Sequence, residues 1–365
     1  MRILHIISSS GMYGAEAVIL NLSRTLNEQG HQSMLGVFLN STDPNLQLHE
    51  SATSEGIESY SIPCNGQIDR TTLTGIRELT KRTRADVVHA HGYKADIYVY
   101  LALRGTKKPL VSTCHTWYDN NMMLTLYGKA DRLVLRSYAQ VVAVSDEVVQ
   151  RLLQSGVRKD KVHSIRNGID LRPFDRAKAG LRGDFDGLIV GLVGRLSVEK
   201  GIDLFLKAAA LVLKQVPTAR FLVAGEGPDR ADLERLIVEL GIKDHAVLLG
   251  RQENMPSVYA SLDVMVSASR QEGLPIAILE GMASKRAIVA TAVGEVPTLI
   301  QDDQTGLLVQ AGDVEGLASA MVKLLQDPTQ RDRLGIAARD LVEAEFSAAH
   351  MTANYLRVYE EAVAG

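Results

Sequence analysis

Short apolar runs alternate with amphipathic segments along the chain, and this alternation occurs twice. Between the runs lie helical patterns such as GAEAVILNLSRTLNEQG, which ends at Gly30, a residue type that commonly ends helices. Continuous apolar strands that alternate with helices are typical of a parallel sheet covered on both faces. The sequence therefore predicts two doubly wound α/β domains. The predicted strands are RILHII, SMLGVFL, DVVHAHG, PLVSTCH and QVVAVS in the first half, and GLIVGLVG, RFLVAGEG, AVLLG, DVMVSAS and AIVAT in the second.

A segment rich in charge, glycine and proline separates the two halves, at residues 166–187. It lacks apolar periodicity, as linkers do. We therefore expect a first domain over 1–168 and a second over 169–345. The last segment, 346–365, predicts a terminal helix that is free to cross back to the first domain. Two such domains would place a deep cleft between the carboxyl ends of their parallel sheets, where ligands of doubly wound folds bind.

The amino-acid composition excludes several classes of protein. Hydrophobic residues make up 46% and charged residues 23% of the chain, which are ordinary values for a globular protein and exclude a disordered, collagen-like or coiled-coil chain. Aromatic residues are 5%, too few to favour stacking on single-stranded nucleic acid. A formal net charge of −3 gives no reason to expect a polyanionic partner, so no nucleic-acid ligand is expected.

The first apolar run and the cysteines indicate a cytoplasmic enzyme. The run lacks the basic region, the length and the cleavage site of a signal peptide, and no stretch approaches the roughly 18 apolar residues of a membrane span. Cys64 and Cys114 are too few for a disulfide framework or a cysteine metal site. Two basic stretches, KRTR at 81–84 and GTKK at 105–108, are candidates for peripheral contact of the first domain with an anionic membrane. Solvated helix ends are the alternative interpretation.

The strongest chemical pattern is RQEGLPIAILE, residues 270–280, which follows a predicted strand and opens a helix. A helix start presents free backbone N–H groups and the positive end of the helix dipole, and so can bind an anion. Glu272 precedes the helix and Glu280 lies within it. Carboxylates at these two places suit a ligand with hydroxyl groups around a phosphate; a capped helix start and a solvated glutamate are the alternative.

A second pattern, GRLSVEKG at 194–201, also follows a strand. Arg195 as a fork and Lys200 as a point charge suit a diphosphate, although a charged surface loop is the simpler interpretation of either residue alone. In the first loop, Gly11 and Gly14 allow the backbone to approach a ligand closely. His115 follows a strand of the first domain at the expected cleft, and is equally consistent with a catalytic and a structural role.

Three patterns have the residue types of a metal site. HAH at 89–91 places two imidazoles on one strand face without a further ligand, and DD at 302–303 lies in a turn. DFD at 184–186 has the Asp-x-Asp form used by some sugar transferases, but it falls in the linker. The structural interpretation is preferred for each, so no metal and no cofactor are expected.

Two other enzyme classes lack their motifs. A dinucleotide-dependent oxidoreductase needs Gly-x-Gly-x-x-Gly in its first loop, and only parts of it occur, at 11–14 and 191–194. A serine hydrolase of α/β type needs a Gly-x-Ser-x-Gly elbow, which does not occur.

Taken together, the chain resembles glycosyltransferase family 4, retaining enzymes of GT-B fold that use nucleotide-sugar donors. The most specific match is Glu272 and Glu280 in the form Glu-x7-Glu, and the resemblance spans nearly the whole chain. The other matches, in chain order, are RNGID at 166–170, GRLSVEKG at 194–201, AGEGP at 224–228, GEVP at 294–297 and TGLLV at 305–309.

The resemblance implies roles for the donor-side residues. Arg195 and Lys200 would bind the donor diphosphate and stabilise the charge that develops on the leaving nucleotide. If they do so, a bound metal is unnecessary. Glu280 would hydrogen-bond the ribose, and Arg251 would lie beside the base.

The sugar-side roles follow in the same way. Glu272 and the backbone of Gly273 and Leu274 would bind the donor sugar, and His115 would contact it near its 6-position from the first domain. Sequence gives no position for a nucleophilic carboxylate beneath the anomeric carbon, which a double displacement requires. The family instead implies attack from the same face, with the leaving phosphate accepting the acceptor's proton.

The first loop departs from the family pattern. The family often has two adjacent glycines before Ala-Glu, whereas here Tyr13 precedes Gly14, Ala15 and Glu16. Gly14 would lie under the phosphates or the acceptor. Tyr13 and Glu16 are candidates for contact with the acceptor, and Tyr13 would narrow the site or stack on it.

The sequence thus predicts a retaining, metal-independent glycosyltransferase. It would move a hexose or N-acetylhexosamine from a nucleotide-sugar, most simply a UDP-sugar, to a glycan or lipid-linked acceptor, as in bacterial polysaccharide or glycoconjugate synthesis. The alternatives are a nucleotide-sugar epimerase of the same fold, an NAD-dependent oxidoreductase and a sugar-binding protein without turnover.

Overall fold

A computed structural model describes residues 1–9, 11, 14–41, 45–66, 69–114, 122–183 and 187–365. The chain forms two compact units: the first is Met1–Gly168 with Ala348–Gly365, and the second is Ile169–Ser347. The strands are β1 (Arg2–Ile7), β2 (Gln32–Leu39), β3 (Glu58–Pro63), β4 (Val87–His91), β5 (Leu110–Cys114), β6 (Gln140–Ala143), β7 (Val162–Ser164), β8 (Ile189–Val193), β9 (Arg220–Ala224), β10 (Ala246–Gly250), β11 (Val264–Ser267), β12 (Ala287–Thr291) and β13 (Leu307–Val309). The helices are α1 (Gly14–Glu28), α2 (Gln47–Ser54), α3 (Arg70–Thr83), α4 (Tyr93–Leu103), α5 (Met122–Leu135), α6 (Asp146–Gln154), α7 (Arg172–Asp175), α8 (Ile202–Val212), α9 (Arg230–Glu239), α10 (Met255–Ser261), α11 (Ile276–Ala283), α12 (Val296–Leu299), α13 (Val314–Gln326), α14 (Pro328–Glu345) and α15 (Ala348–Ala364).

Each unit contains one parallel sheet whose strand order reverses once. In the first unit the order is β3-β2-β1-β4-β5-β6-β7, and in the second it is β10-β9-β8-β11-β12-β13. Every strand pair described is parallel. The chain moves outward from β1 and from β8, then returns to add β4 and β11 on the other side. The prediction of two doubly wound parallel sheets is confirmed, and the reversals lie between β1 and β4 and between β8 and β11.

Strands buried on both faces explain the continuous apolar runs. In β8, Val190 and Leu192 face one core while Ile189 faces the other. In β11, Val264 and Val266 face the first of these cores and Met265 faces the second. Because successive side chains of a strand point to opposite faces, a sheet covered by helices on both sides needs apolar residues at every position.

Three strands were not predicted from the sequence: β3, β7 and β13. All three are edge strands of their sheets, and most of their side chains are exposed or half-buried. An edge strand has less apolar cover than a central strand. The sequences of β3 and β7 accordingly contain polar residues and lack the apolar run by which the central strands were found, whereas β13 is apolar but only three residues long.

The terminal helix α15 packs on the sheet of the first unit. Its Tyr355 and Tyr359 are fully buried in one core with Val87, Val111 and other residues of the central strands. No helix in the part of the chain that the structure describes has the length and apolarity needed to cross a membrane.

Buried histidines continue that core toward the carboxyl ends of β1 and β4. His89 hydrogen-bonds Tyr359 Oη through Nδ1 and Thr113 Oγ1 through Nε2, both at 2.8 Å. Thr113 in turn contacts Tyr355 Oη at 3.0 Å. His5 Nδ1 lies 3.0 Å from His91 Nε2. This network fastens α15 to the sheet through polar bonds as well as apolar packing.

The network predicts acid sensitivity. Burial lowers the pKa of His5 from 6.5 to about 3, so the folded chain resists the proton that an unfolded chain binds below about pH 6.5. The contribution of neutral His5 is complete above pH 6.5 and is lost as the pH falls toward 3. In that window one such group changes the free energy of unfolding by about 1.4 kcal/mol per pH unit. The His5→Gln variant should therefore show a shallower decline of the melting temperature between pH 6.5 and 4.5, measured by circular dichroism.

The matched control is His350→Gln, since His350 is an exposed histidine of α15. This control should follow the wild-type decline. An unchanged pH dependence in His5→Gln would mean that His5 does not govern the acid response.

Candidate active site

The two motif loops of the second unit meet where its strand order reverses. Residues 194–201 follow β8, and residues 268–275 follow β11, the neighbouring strand. Carboxyl ends of parallel strands lie at one edge of a sheet, and ligands of such folds bind at this reversal point. The predicted charged residues of both motifs are thus brought to one place.

Arg270 ties the two loops together. Its backbone N–H donates to the Glu199 carbonyl at 2.8 Å, and its Nη1 donates to the Val198 carbonyl at 2.8 Å. Its guanidinium also forms a bidentate pair with Asp203 of α8, with both bonds 2.8 Å long. The hydrogen bonds to Asp203 raise the pKa of Arg270. A bidentate pair fixes orientation as well as distance, so the loops form one assembly.

Lys200 and Glu272 make the central contact of this assembly. Lys200 Nζ lies 2.6 Å from Glu272 Oε1, and Ser269 Oγ donates to the same oxygen at 2.7 Å. The Glu272 side chain is 8% exposed and that of Lys200 is 27% exposed. Arg195 is exposed, and its guanidinium has no hydrogen bond or ion pair to any residue that the structure describes. The site therefore combines a fixed carboxylate, a paired ammonium and an unpaired guanidinium.

Close backbone contacts hold both loops, and they require glycine. A Cβ atom at Gly225, in AGEGP, would lie 1.9 Å from the Gly194 carbonyl oxygen. A Cβ atom at Gly294, in GEVP, would lie 1.9 Å from the Glu272 carbonyl oxygen, and Gly294 has φ +51°. No other residue type allows these approaches. AGEGP therefore packs directly against the loop at 194–201, and GEVP packs directly against the loop at 268–275.

Glu280 lies one turn into α11 and is half-buried. Its Oε2 accepts a 2.8 Å hydrogen bond from the hydroxyl of Tyr259, which is fully buried in α10. Burial raises the pKa of the Glu280 carboxyl, and the bond from Tyr259 partly offsets that rise. Burial and the nearby Glu280 raise the pKa of Tyr259, so its hydroxyl remains a donor at neutral pH.

The other predicted donor-side residues lie around this assembly. Gly273 is exposed, and a Cβ built on it would meet no atom within 4 Å, so open space faces its backbone. Leu274 packs against the apolar core below. Arg251 is exposed after β10, separated from β8 by the intervening β9. It thus lies farther from Lys200 along the sheet than the residues of the two motif loops do.

In the first unit only part of the predicted site is described. Gly14 begins α1 after β1, next to the reversal between β1 and β4, and Glu16 is buried in the first turn of that helix. A carboxylate there is favourably placed toward the helix dipole. Tyr13 and His115 lie outside the described residues.

The patterns with metal-ligand residue types have structural partners. His89 and His91 are joined by His5, and nitrogen atoms of the three rings lie within 4.8 Å of one another. However, both ring nitrogens of His89 bond to hydroxyl groups, and His5 bonds to His91.

Of the two acidic patterns, only DD at 302–303 lies within the described residues, and both of its carboxylates have protein partners. Asp302 accepts the Leu308 N–H at 3.0 Å. Asp303 accepts hydrogen bonds from Gln330 and Arg333 at 2.7 and 2.9 Å. Asp184 and Asp186 lie outside the described residues.

Sequence reasoning missed three residues that organise the site: Asp203, Ser269 and Tyr259. Asp203 and Ser269 stand beside the recognised motifs, in GIDLF and SASR, so their proximity to the loops was available as a signal. Tyr259 lies 21 residues before Glu280, and no local pattern relates the two.

Comparison with known proteins identifies the family of the chain. Residues 12–172 match the family model described as Glycosyltransferase Family 4, and residues 187–327 match the one described as Glycosyl transferases group 1. The N-acetyl-alpha-D-glucosaminyl L-malate synthase of Bacillus anthracis is 26% identical over 97% of this chain and 94% of its own. The alpha-D-kanosaminyltransferase of Streptomyces kanamyceticus is 31% identical over 77% of this chain and 79% of its own.

The fold also matches solved structures. Anabaena HepE in complex with UDP aligns with a TM-score of 0.83 at 18% identity, covering 99% of this chain and 100% of that one. The same protein in complex with UDP-glucose gives 0.77 at 18% identity, covering 99% and 98%. The chain therefore belongs to glycosyltransferase family 4 and is a glycosyltransferase of GT-B fold.

Proposed function

We propose that this protein is a retaining, metal-independent glycosyltransferase that uses a UDP-sugar. The observation that carries the proposal is the 2.6 Å contact of Lys200 with Glu272 at the strand-order reversal of the second unit. It joins the two motifs to which the family resemblance assigns the diphosphate and the sugar. Chemistry at the bond between phosphate and sugar needs both functions side by side.

UDP is the proposed nucleotide because HepE, of the same fold, is known with UDP and with UDP-glucose. Glu280 would accept hydrogen bonds from the ribose through Oε1, which has no protein partner among the described residues. Arg251 would lie beside the base. The sugars named for the relatives, N-acetylglucosamine and kanosamine, support a hexose or N-acetylhexosamine as the transferred group.

The cations would act on the leaving group. Negative charge builds on the diphosphate as the bond to the sugar breaks, and fixed cations aimed at that charge supply the largest stabilisation. Arg195 has an unpaired fork for phosphate oxygens, and Lys200 can share its ammonium between Glu272 and a phosphate. Glu272, held by Ser269 as well, would stay in place to bind the sugar hydroxyls with the backbone of Gly273 and Leu274. Two protein cations would make a metal ion unnecessary.

Retention would follow from attack on the face that the leaving group vacates. The acceptor hydroxyl forms its bond to the anomeric carbon as the phosphate bond breaks, and a phosphate oxygen takes the hydroxyl proton. We assign the acceptor, a glycan or lipid-linked molecule, to the first unit with Gly14, Glu16 and Tyr13 as contacts, and His115 to the donor sugar.

We also propose that the first unit contacts an anionic membrane. A recess of about 450 Å³ lies beside the start of β5, on the side of the sheet where the parallel strands begin. Leu103 and Pro109 give it an apolar surface, and four exposed cations surround it: Arg77, Lys81, Lys107 and Lys108. Basic groups around an apolar recess suit the phosphates of an anionic lipid surface.

Removal of the Lys200 ammonium tests the catalytic proposal. Loss of one fixed donor to developing charge costs about 100- to 1,000-fold in turnover, so Lys200→Ala and Arg195→Ala should each lower kcat to that extent. Transfer is measured by UDP release with a glycan acceptor, and proton NMR of the product should show the anomeric configuration of the donor.

Lys323→Ala is the matched control, because Lys323 is an exposed lysine of the same unit with only a 4.0 Å contact to Asp303. It should leave turnover unchanged. Activity of Lys200→Ala within a few-fold of wild type would refute the phosphate assignment, and release of an epimerised nucleotide-sugar without acceptor would favour the epimerase.

A thermal-shift series tests the donor and the metal independence. UDP, GDP, ADP and NADH are each added with EDTA or with magnesium. A ligand at 100 times its Kd stabilises a protein by about 2.7 kcal/mol, so UDP should raise the melting temperature equally in both conditions. A shift with GDP alone would change the nucleotide, a shift only with magnesium would contradict metal independence, and a shift with NADH alone would favour the oxidoreductase.

Charge reversal tests the membrane surface. Each basic residue near an anionic bilayer contributes about 1 kcal/mol. The double variant Lys81→Glu with Lys107→Glu should therefore lose at least about tenfold in partitioning onto phosphatidylglycerol vesicles, measured by co-sedimentation. Lys214→Glu with Lys243→Glu makes the same charge change on exposed residues of the second unit and should retain binding. Equal losses in both double variants, or no wild-type binding, would exclude this surface.

A further inference from the structure

Glu280 has a single hydrogen-bond partner among the described residues. The Tyr259 hydroxyl donates to Oε2 at 2.8 Å, and Oε1 has no protein donor. A carboxylate bound at one oxygen cannot rotate freely about its last bond. The tyrosine thus directs the other oxygen and favours the charged form of a group that burial disfavours.

Tyr259 is itself held rigidly. Its side chain is fully buried in the core that contains Ile278 and Leu279 of α11. Phe174 of α7 packs edge-on against its ring, with centroids 6.1 Å apart. The start of α10 is capped by Asn254, whose side chain accepts the Ser257 N–H at 3.2 Å. These contacts fix the ring, and with it the position of the hydroxyl group.

Other charged groups packed toward α11 are engaged elsewhere. Arg339 of α14 pairs with Asp175 of α7 at 2.8 Å and with Glu343 at 3.3 Å, and it donates to the Ala283 carbonyl. Arg172 of α7 pairs with Asp170. Within α11, α10 and β12, Glu280 is the only acidic or basic side chain. Tyr259 is therefore the side chain that acts on Glu280 directly.

We propose that Tyr259 is a positioning residue for donor binding: it orients the Glu280 carboxylate so that Oε1 accepts a hydrogen bond from the nucleotide ribose. This inference rests on the proposed function, because it takes Glu280 to be the ribose ligand. Tyr259 does not touch the nucleotide in this arrangement. Its contribution is made through Glu280 alone.

The test is UDP binding by the full chain, measured by calorimetry from pH 5 to 8. Tyr259→Phe should weaken binding about 10- to 150-fold at pH 7, the range for loss of a hydrogen bond to a charged group. It should also move the acid loss of affinity to higher pH, since nothing then opposes the effect of burial on Glu280. In turnover assays the KM for the donor should rise while kcat changes little, as for an interaction made equally in ground and transition states.

Glu280→Gln supplies the baseline, because its remaining pH dependence is that of UDP's own phosphate. The double variant should equal Glu280→Gln alone, since residues that act through one partner are not additive. Tyr138→Phe is the matched control: Tyr138 is fully buried and donates to the Asp96 carbonyl at 2.8 Å in the first unit. It should lower stability without moving the pH profile.

Wild-type affinity in Tyr259→Phe with an unmoved acid limb would overturn the inference, as would an additive double variant. A wild-type protein that does not bind UDP would instead overturn the donor assignment, and this inference with it. A melting temperature for each variant shows whether a loss of binding is a loss of fold.

Discussion

Burial of both faces of each sheet is the constraint on which this structure depends. Helices cover the central strands, so those strands have room for apolar side chains at nearly every position. Polar chemistry is therefore confined to the sheet edge where the strands end. The reversal of strand order between β8 and β11 then places two loops there side by side. Motifs that are far apart in the chain therefore lie next to each other at this edge and form one site.

One exception is the histidine network of the first unit, which places polar rings inside a core. It is tolerated because the rings bond to hydroxyl groups or to each other, and because burial lowers the pKa of His5 and keeps that ring neutral. These bonds connect a helix at the end of the chain to strands near its start. The directional bonds from Tyr355 and Tyr359 fix one register of α15 on the sheet, because each needs its own partner at hydrogen-bond distance. Polar groups here give specificity at the cost of acid sensitivity.

The central strands, the loops and the charged residues of the second unit could be predicted from the sequence, since each depends on a local pattern or on a family motif. The pairing of residues that are distant in the chain could not be predicted. Lys200 and Glu272 are 72 positions apart, and the motifs alone do not show that one carboxylate oxygen receives both Lys200 and Ser269. AGEGP and GEVP were recognised as motifs, but the sequence does not show that their glycines are required by the close approach of the Gly194 and Glu272 carbonyl groups. The edge strands β3 and β7 were not predicted because their exposed positions carry polar residues, which interrupt the apolar run.

Within the second unit, the charged groups divide into satisfied and available ones. Glu272 has two donors and Asp203 has the fork of Arg270, so these carboxylates are fixed by the protein itself. The guanidinium of Arg195 and Oε1 of Glu280 have no hydrogen-bond partner among the described residues and are therefore two of the groups available to a ligand. One is exposed and always charged, which suits a diphosphate that brings its own charge from water. The other is half-buried, and a carboxylate partly shielded from water makes a stronger hydrogen bond to a neutral hydroxyl than a fully exposed one does. Under the proposed function, this arrangement would separate recognition of the nucleoside, through Glu280, from stabilisation of the leaving group, through the cations of residues 194–201.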